Sequence, residues 1–154
     1  MVDIKMIKAS SSLFDAVKYI RISVFVEEQG INALDEFDKF DQVDSNCEYV
    51  LLFDNNEPVA TSRICRYDNC FKIGRIAVLK PFRGKHYGAI VVKQAIDAAF
   101  ENGAKSVFVD AQNYAVPFYE KIGFKVCGEQ IYDRGLPHIP MVIAKGEYNA
   151  KEKE

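Results

Sequence analysis

Apolar residues along this chain recur at two different spacings, and each change of spacing marks a new element. Residues 2–9 predict a short strand. Ser11 or Ser12 can cap the helix that follows, with Asp15 three residues after Ser12 as an acidic variant of the capping box. Leu13, Val17, Ile20 and Val24 then fall four, three and four apart, one face of a helix running to about Gln29 and ended by Gly30. Runs rich in β-branched and aromatic residues over 48–53 and 59–67 flank Asp54-Asn55-Asn56-Glu57-Pro58, which predicts a hairpin. A second turn at Asp68-Asn69 leads into a strand over 70–79, so three antiparallel strands form a meander.

Past Lys80-Pro81 the chain turns polar and glycine-bearing. It then becomes helical, with Ala89, Val92, Ile96, Ala99 and Phe100 on one side and Gly103 beyond the end. Residues 106–111 are almost wholly apolar, as expected of a strand covered on both faces. Residues 114–122 predict a short helix with Pro117 in its first turn and Gly123 past its end. Strands over 124–127 and 141–144 close the sheet, and the charged tail from Lys145 is expected to fray. The order is β-α-β-β-β-α-β-α-β-β: an α/β (α+β) mixed sheet with helices on its faces, in one domain over residues 1–154.

At 154 residues such a domain can fold around its own core without staples. A formal net charge of −2 removes a bulk basic footprint for nucleic acid, and no aromatic run accompanies Lys80, Arg83 and Lys85 to stack bases. No apolar run reaches the ~18–20 residues that span a bilayer. The opening Met1-Val2-Asp3-Ile4-Lys5 lacks the layout of a secretory signal, so a cytoplasmic location away from membranes is expected. Cys47, Cys65, Cys70 and Cys127 form no C-x-x-C pair, and His86 and His138 lie far apart, so no structural metal site is expected. Cys65 and Cys70 could meet across a hairpin, but reduced thiols are the expected state.

The candidate chemistry begins where a strand delivers the chain to Arg83-Gly84-Lys85-His86-Tyr87-Gly88 and a helix opens. The first turn of a helix carries unpaired N–H groups and about half a positive charge. Glycines at 84 and 88 let a phosphate approach that backbone, and Arg83 and Lys85 add fixed charge. This is an anion seat suited to a diphosphate. It is neither a Walker loop nor a G-x-G-x-x-G turn. Taken alone it can equally be a solvated basic turn. A second feature, Asn113 to Phe124, opens a short helix on a polar residue. There Phe118 and Ile122 can pack as an i, i+4 pair, with the Tyr119 phenol beside them.

Together these two segments resemble the GNAT superfamily of N-acetyltransferases. Gly74-Arg75-Ile76-Ala77-Val78-Leu79-Lys80-Pro81-Phe82-Arg83-Gly84-Lys85-His86-Tyr87-Gly88-Ala89 is similar to its acetyl-CoA signature, and Asn113 to Phe124 to its downstream segment. Arg21-Ile22-Ser23-Val24-Phe25-Val26-Glu27-Glu28-Gln29 and Gly135-Leu136-Pro137-His138-Ile139-Pro140-Met141 resemble an ElaA- and YjcF-like subgroup. The resemblance implies a GNAT-like acyl-CoA N-acyltransferase fold. It also implies transfer of an acetyl group from acetyl-CoA to a primary amine of a small molecule by direct attack, without a metal, and it allows a homodimer.

It implies roles as well. Ile76, Ala77 and Val78 would meet the pantetheine arm through backbone groups at a splayed strand edge. Arg83, Gly84, Lys85, His86, Tyr87, Gly88 and Ala89 would hold the diphosphate, and Asn113 would steady the cofactor. Tyr119 would be the general acid or a donor to sulfur. A free phenol near pKa 10 against a thiol near 8.5 makes full proton transfer uphill by roughly 2 kcal/mol. Glu28 is the first candidate base, against an ordinary surface pair, and His138 the second, against a packed loop residue.

His86 departs from the family loop, standing where its first glycine belongs. A side chain there would either crowd the diphosphate or demand a φ that is costly for a non-glycine residue, and weakened cofactor binding is expected unless the imidazole donates to phosphate. That departure favours the alternative, a non-catalytic CoA-binding sensor. The stretch from Asp35 to Asp44 carries five carboxylates and one lysine, with Asp35, Asp38, Asp41 and Asp44 every third residue. It reads as a solvated acidic loop, or else as a rim that draws a cationic amine.

Overall fold

The structure, a computed structural model, describes residues 1–152 except Asn69, and Glu152 by its backbone alone. Strand β1 (Val2–Ile7) leads through Ser11, whose Oγ accepts from the Leu13 N–H at 3.1 Å, into helix α1 (Phe14–Arg21). Beyond Arg21 the helix widens into a π-helical stretch, Ile22–Glu28, which departs from the regular period expected to Gln29. The wider winding keeps both Val24 and Phe25 in the apolar layer. It closes at Gly30 (φ +78°), with Ile31 N–H donating to Phe25 O and Gly30 N–H to Val26 O, each bond one residue wider than in a Schellman cap.

A short helix α2 (Ala33–Glu36) precedes the meander β2 (Cys47–Asp54), β3 (Glu57–Tyr67) and β4 (Cys70–Val78). Asn55 and Asn56, both at positive φ, make the tight β2–β3 turn. In the next turn Asp68 has φ +52°, and Asn69 lies outside the described residues. Then come α3 (Tyr87–Glu101), β5 (Ser106–Gln112), α4 (Val116–Ile122), β6 (Lys125–Val126), β7 (Ile131–Asp133), β8 (Leu136–Ala144) and α5 (Lys145–Glu152). The sheet runs β1-β2-β3-β4-β5-β8-β6, with β7 also on β8; β4 and β5 are parallel and the other pairs antiparallel.

Unbroken burial from Tyr49 to Leu52 in β2 explains the layers. Val50 and Leu52 face α3, while Tyr49 and Leu51 face α1, so the strand is apolar on both sides. Each fully buried aliphatic side chain contributes about 2 kcal/mol of transfer free energy.

Four expectations change. The tail from Lys145 is helical through Glu152 rather than frayed, because Tyr148 is buried against Phe100 with ring centroids 5.6 Å apart. The strand expected over 141–144 begins at Leu136, where β7 pairs with it, and β7 itself was not foreseen. Cys47 and Cys65 face each other in the β2–β3 register and are joined by a disulfide, whereas all thiols were expected reduced; Cys70 and Cys127 are free.

The fourth change concerns the acidic loop, which is not simply solvated. Glu36 is completely buried and Asp41 nearly so. Arg21 donates through Nε to Glu36 Oε2 (2.9 Å) and through Nη1 and Nη2 to Asp41 (2.8 and 2.9 Å). Arg63 donates to Asp38 Oδ1 at 2.8 Å, and the Tyr49 hydroxyl donates to Asp41 Oδ1 at 2.7 Å. The arginines come from α1 and β3, so no local pattern in the loop announces them.

Burial alone would raise the pKa of Asp41. The hydrogen bonds and charge of Arg21, then the charge of Arg63 and the Tyr49 hydroxyl, outweigh it and hold the carboxyl far below its usual range. A lowered folded-state pKa means that the unfolded chain takes up protons first. The stabilisation from Asp41 is therefore complete above about pH 5 and is lost as pH falls below the unfolded value of about 3.9. Asp41→Asn is expected to cost about 3–5 kcal/mol at neutral pH. Urea unfolding at pH 7 and again below pH 4 checks this: the gap between variant and parent should narrow in acid, and equal midpoints at pH 7 would contradict it.

Candidate active site

The site begins where a ladder ends. Parallel β4 and β5 pair only at Phe71–Val107, Lys72–Phe108 and Ile73–Val109, although β4 continues to Val78 and β5 to Gln112. On its other edge β4 carries a bulge: Thr61 faces Ala77 and Arg63 faces Gly74, so three steps of β4 oppose two of β3. Arg75, inside the bulge, has φ +51°. The strand bends there, and the two parallel strands part.

The gap is a cavity of about 410 Å³ lined by Ile76, Ala77 and Val78 on one side and Asp110 and Gln112 on the other. Its rim includes Glu28 and Gln29 from the end of the π-helical stretch, and Gln112 donates to Gln29 across the gap at 3.0 Å. Tyr119, 6% exposed, forms part of the wall with Phe118; their rings meet edge to face at 5.0 Å. Burial, and to a lesser degree Tyr114, pushes the Tyr119 phenol well above the ordinary tyrosine value, so it stays protonated at neutral pH.

A second cavity of about 470 Å³ shares Val78, Arg83 and Phe118 with the first. It lies at the mouth of α3 among Gly84, His86, Gly88 and Ala89. Gly84 (φ +85°) and His86 (φ +65°) both take the left-handed conformation, so of the two alternatives for His86 the costly φ is the one found. A Cβ on Gly88 would meet Phe118 and Val78 in ordinary van der Waals contact, at 3.6 and 3.7 Å. Lys93 and Lys121 also line this cavity. Neither was singled out from the sequence, although Lys93 is one i+4 step from Ala89 and therefore on its face.

Other expected residues are placed differently. Lys85 approaches Asp54 at 3.9 Å beside the cavity rather than lining it. Tyr87 lines the cavity at the helix mouth, but its hydroxyl is engaged elsewhere, donating to Asp54 at 2.6 Å. Asn113 donates to Gln130 at 2.8 Å and lines neither cavity.

Glu28 and Arg83, read from the sequence as base and anion-binder, are paired with each other at 2.6 and 2.7 Å, while Arg83 Nε donates to Val78 O at 3.0 Å. The hydrogen bonds and charge of Arg83, against slight burial, hold the Glu28 carboxyl below its usual range. Arg83 thus crosses the junction of the two cavities.

A third cavity, about 290 Å³, continues the first on its other side and shares Gly74, Arg75, Asp110, Arg134 and His138 with it. His138 is buried in β8, with Nδ1 2.8 Å from Leu136 O. A carbonyl only accepts, so Nδ1 is the donor in that contact. The three cavities share lining residues and make one trench across the sheet: a cationic helix mouth, a throat of mixed polarity, and an end where arginines meet aspartates.

The Acetyltransferase (GNAT) domain family matches residues 19–145. YjcF of Bacillus subtilis (strain 168), named as an N-acetyltransferase, is 37% identical over 136 residues, 88% of this chain and 94% of its own. YyaT of the same organism is 35% identical over 139 residues, 90% of this chain and 93% of its own. The crystal structure of Escherichia coli ElaA superposes with a TM-score of 0.81 at 28% identity, covering 92% of this chain and 99% of that one. With the parted strands, the helix mouth and a match over most of its length, this chain belongs to the GNAT acetyltransferase family.

Proposed function

We propose that this protein transfers an acetyl group from acetyl-CoA to a primary amine of a small molecule by direct attack. The observation that carries the reading is the continuous trench at the parting of β4 and β5, with cations at the α3 mouth and a buried phenol in the throat. When bound, acetyl-CoA supplies an activated thioester. The α3 backbone at Gly88 and Ala89, with Arg83, Lys93 and Lys121, holds the diphosphate region. The β4 edge at Ile76, Ala77 and Val78 aligns the pantetheine arm as an added strand would.

The amine nitrogen attacks the thioester carbon, the C–N bond forms, the C–S bond breaks, and the thiolate leaves. Tyr119, kept protonated by its burial, offers a hydrogen bond to that sulfur. Its raised pKa makes it a better donor than a full acid. The amine must first lose a proton. Glu28 is a poor acceptor while Arg83 holds it, and becomes a competent one as Arg83 turns to the diphosphate. Binding of the first substrate thereby prepares the base for the second. His138 is the alternative base, and the loss of kcat in Glu28→Gln against that in His138→Asn separates the two.

Release of free CoA from acetyl-CoA across an amine panel tests the whole reading. Tyr119→Phe should lower kcat about 100-fold or more while CoA binds as before. Clear CoA binding with no amine-dependent release would favour a CoA-responsive sensor instead.

His86 provides a second check. His86→Val should cost about 1–2 kcal/mol of stability, because a β-branched residue strains at positive φ. His86→Gly should unfold within about 1 kcal/mol of the parent and bind CoA at least as tightly. Weaker binding by the glycine variant in calorimetry would show that the imidazole itself grips the phosphate.

A further inference from the structure

Four guanidinium groups lie at or behind the end of the trench away from α3, and Glu36, Asp38, Asp41 and Asp133 match them in charge, yet one donor among the described residues is left without a hydrogen bond. Arg21 and Arg63 are well bonded to Glu36, Asp41 and Asp38. Arg75 spends Nε and Nη2 on Glu36 O (3.1 and 3.0 Å), and Nη2 also reaches Asp38; its Nη1 comes no nearer than 3.8 Å to Asp133. Arg134 donates through Nη1 to Glu36 Oε1. Its Nε is, among the described residues, the buried side-chain nitrogen or oxygen without a hydrogen-bond partner, with Asp133 Oδ2 3.5 Å away outside bonding geometry.

The Arg134 side chain is only 7% exposed, and with Arg75 it lines both the throat and the end chamber. A buried, unsatisfied donor on a charged group is expensive. Arg134 also sits at φ +52° beside Gly135 at +79°, in the two-residue turn between β7 and β8, a position that disfavours a long side chain. Two costs at one residue facing a cavity point to a ligand group.

We infer that the acceptor amine carries a carboxylate, received by Arg134 Nε and Arg75 Nη1 in the end chamber. The inference rests on the acyl-transfer reading above for the amine half of the substrate. A carboxylate is planar and acceptor-only, and matches a guanidinium edge in shape and charge. Asp38, Asp110 and Asp133 also line the chamber and balance much of its charge, so what singles out a carboxylate is the unpaired N–H donor rather than bulk charge. Burial first, then the neighbouring charges of Arg134 and Arg63, draw the pKa of Arg75 down to about 10, against the opposing pull of Glu36. An arriving anion would relieve that crowding.

The test compares glycine, β-alanine and γ-aminobutyrate with their carboxamides as acceptors, each rate referred to the free-amine fraction. The best amino acid should exceed its amide by about 10- to 100-fold in kcat/KM, carried mainly by KM. Arg134→Gln should bring that ratio close to one, and Arg134→Lys should restore part of it, with CoA affinity reporting that both variants are folded. Amides used as well as the acids, or Arg134→Gln lowering both equally, would overturn the inference.

A binding arm keeps the question apart from activity. In the CoA complex of the unmutated protein with 15N-labelled arginine, the Arg134 Nε signal, identified by its loss in Arg134→Lys, should move on adding γ-aminobutyrate and not its amide. If no amine releases CoA, the acyl-transfer reading fails while a moved signal still upholds carboxylate binding. An unmoved signal refutes carboxylate binding whether or not amines are acetylated.

Discussion

One extra residue in β4 governs the working part of this molecule. Between the pairs Arg63–Gly74 and Thr61–Ala77 the strand must fit three steps against two, and Arg75 absorbs the surplus at positive φ. The bend ends the ladder with β5 after three residue pairs. Peptide groups of Gly74 to Val78 that would otherwise bond to β5 face a gap instead, and buried backbone groups need partners. The same bulge carries the Arg75 guanidinium toward α2 and the end chamber. An opened sheet edge and an inward arginine have one cause.

The buried charges on that side are more than structural glue. Ion pairs removed from water roughly balance their desolvation cost, so they are weak evidence for stability, although breaking one is costly. What they do is tie separate elements together. Glu36, on a one-turn helix, bonds to arginines from α1, β4 and the β7–β8 turn, and so locates the hairpin that forms one wall of the trench. The Glu28–Arg83 pair works differently. It is partly exposed, joins the helix end to the loop before α3, and is weak enough to be exchanged for another anion.

Much of the fold could be read along the chain because its local and global preferences agree. The Leu13–Val17–Ile20–Val24 face, the Asn55-Asn56 turn and the glycine-bearing mouth of α3 each carry their own short-range signal. The left-handed conformation at His86 is one of the two alternatives that the loop pattern leaves. Signals failed where the deciding partner was distant. The π-helical winding arises from fitting Val24 and Phe25 together into a layer built by β2 and β4. The helical tail exists because Tyr148 finds Phe100, and nothing in Lys145 to Glu152 itself shows this.

By itself the sequence determined the order of elements, the apolar faces, the anion seat ahead of α3 and the family. Periodicity, turn chemistry and motif spacing act over a few residues and need no knowledge of the rest. Only the tertiary structure decided that Cys47 meets Cys65, that Glu36 and Asp41 are buried among arginines rather than solvated, that Arg83 holds Glu28, and that Arg134 is left with an open donor in the trench. Each of these depends on strand register or on side chains many residues apart. Charge pairing and burial are set by position in space, which a string of residues does not carry.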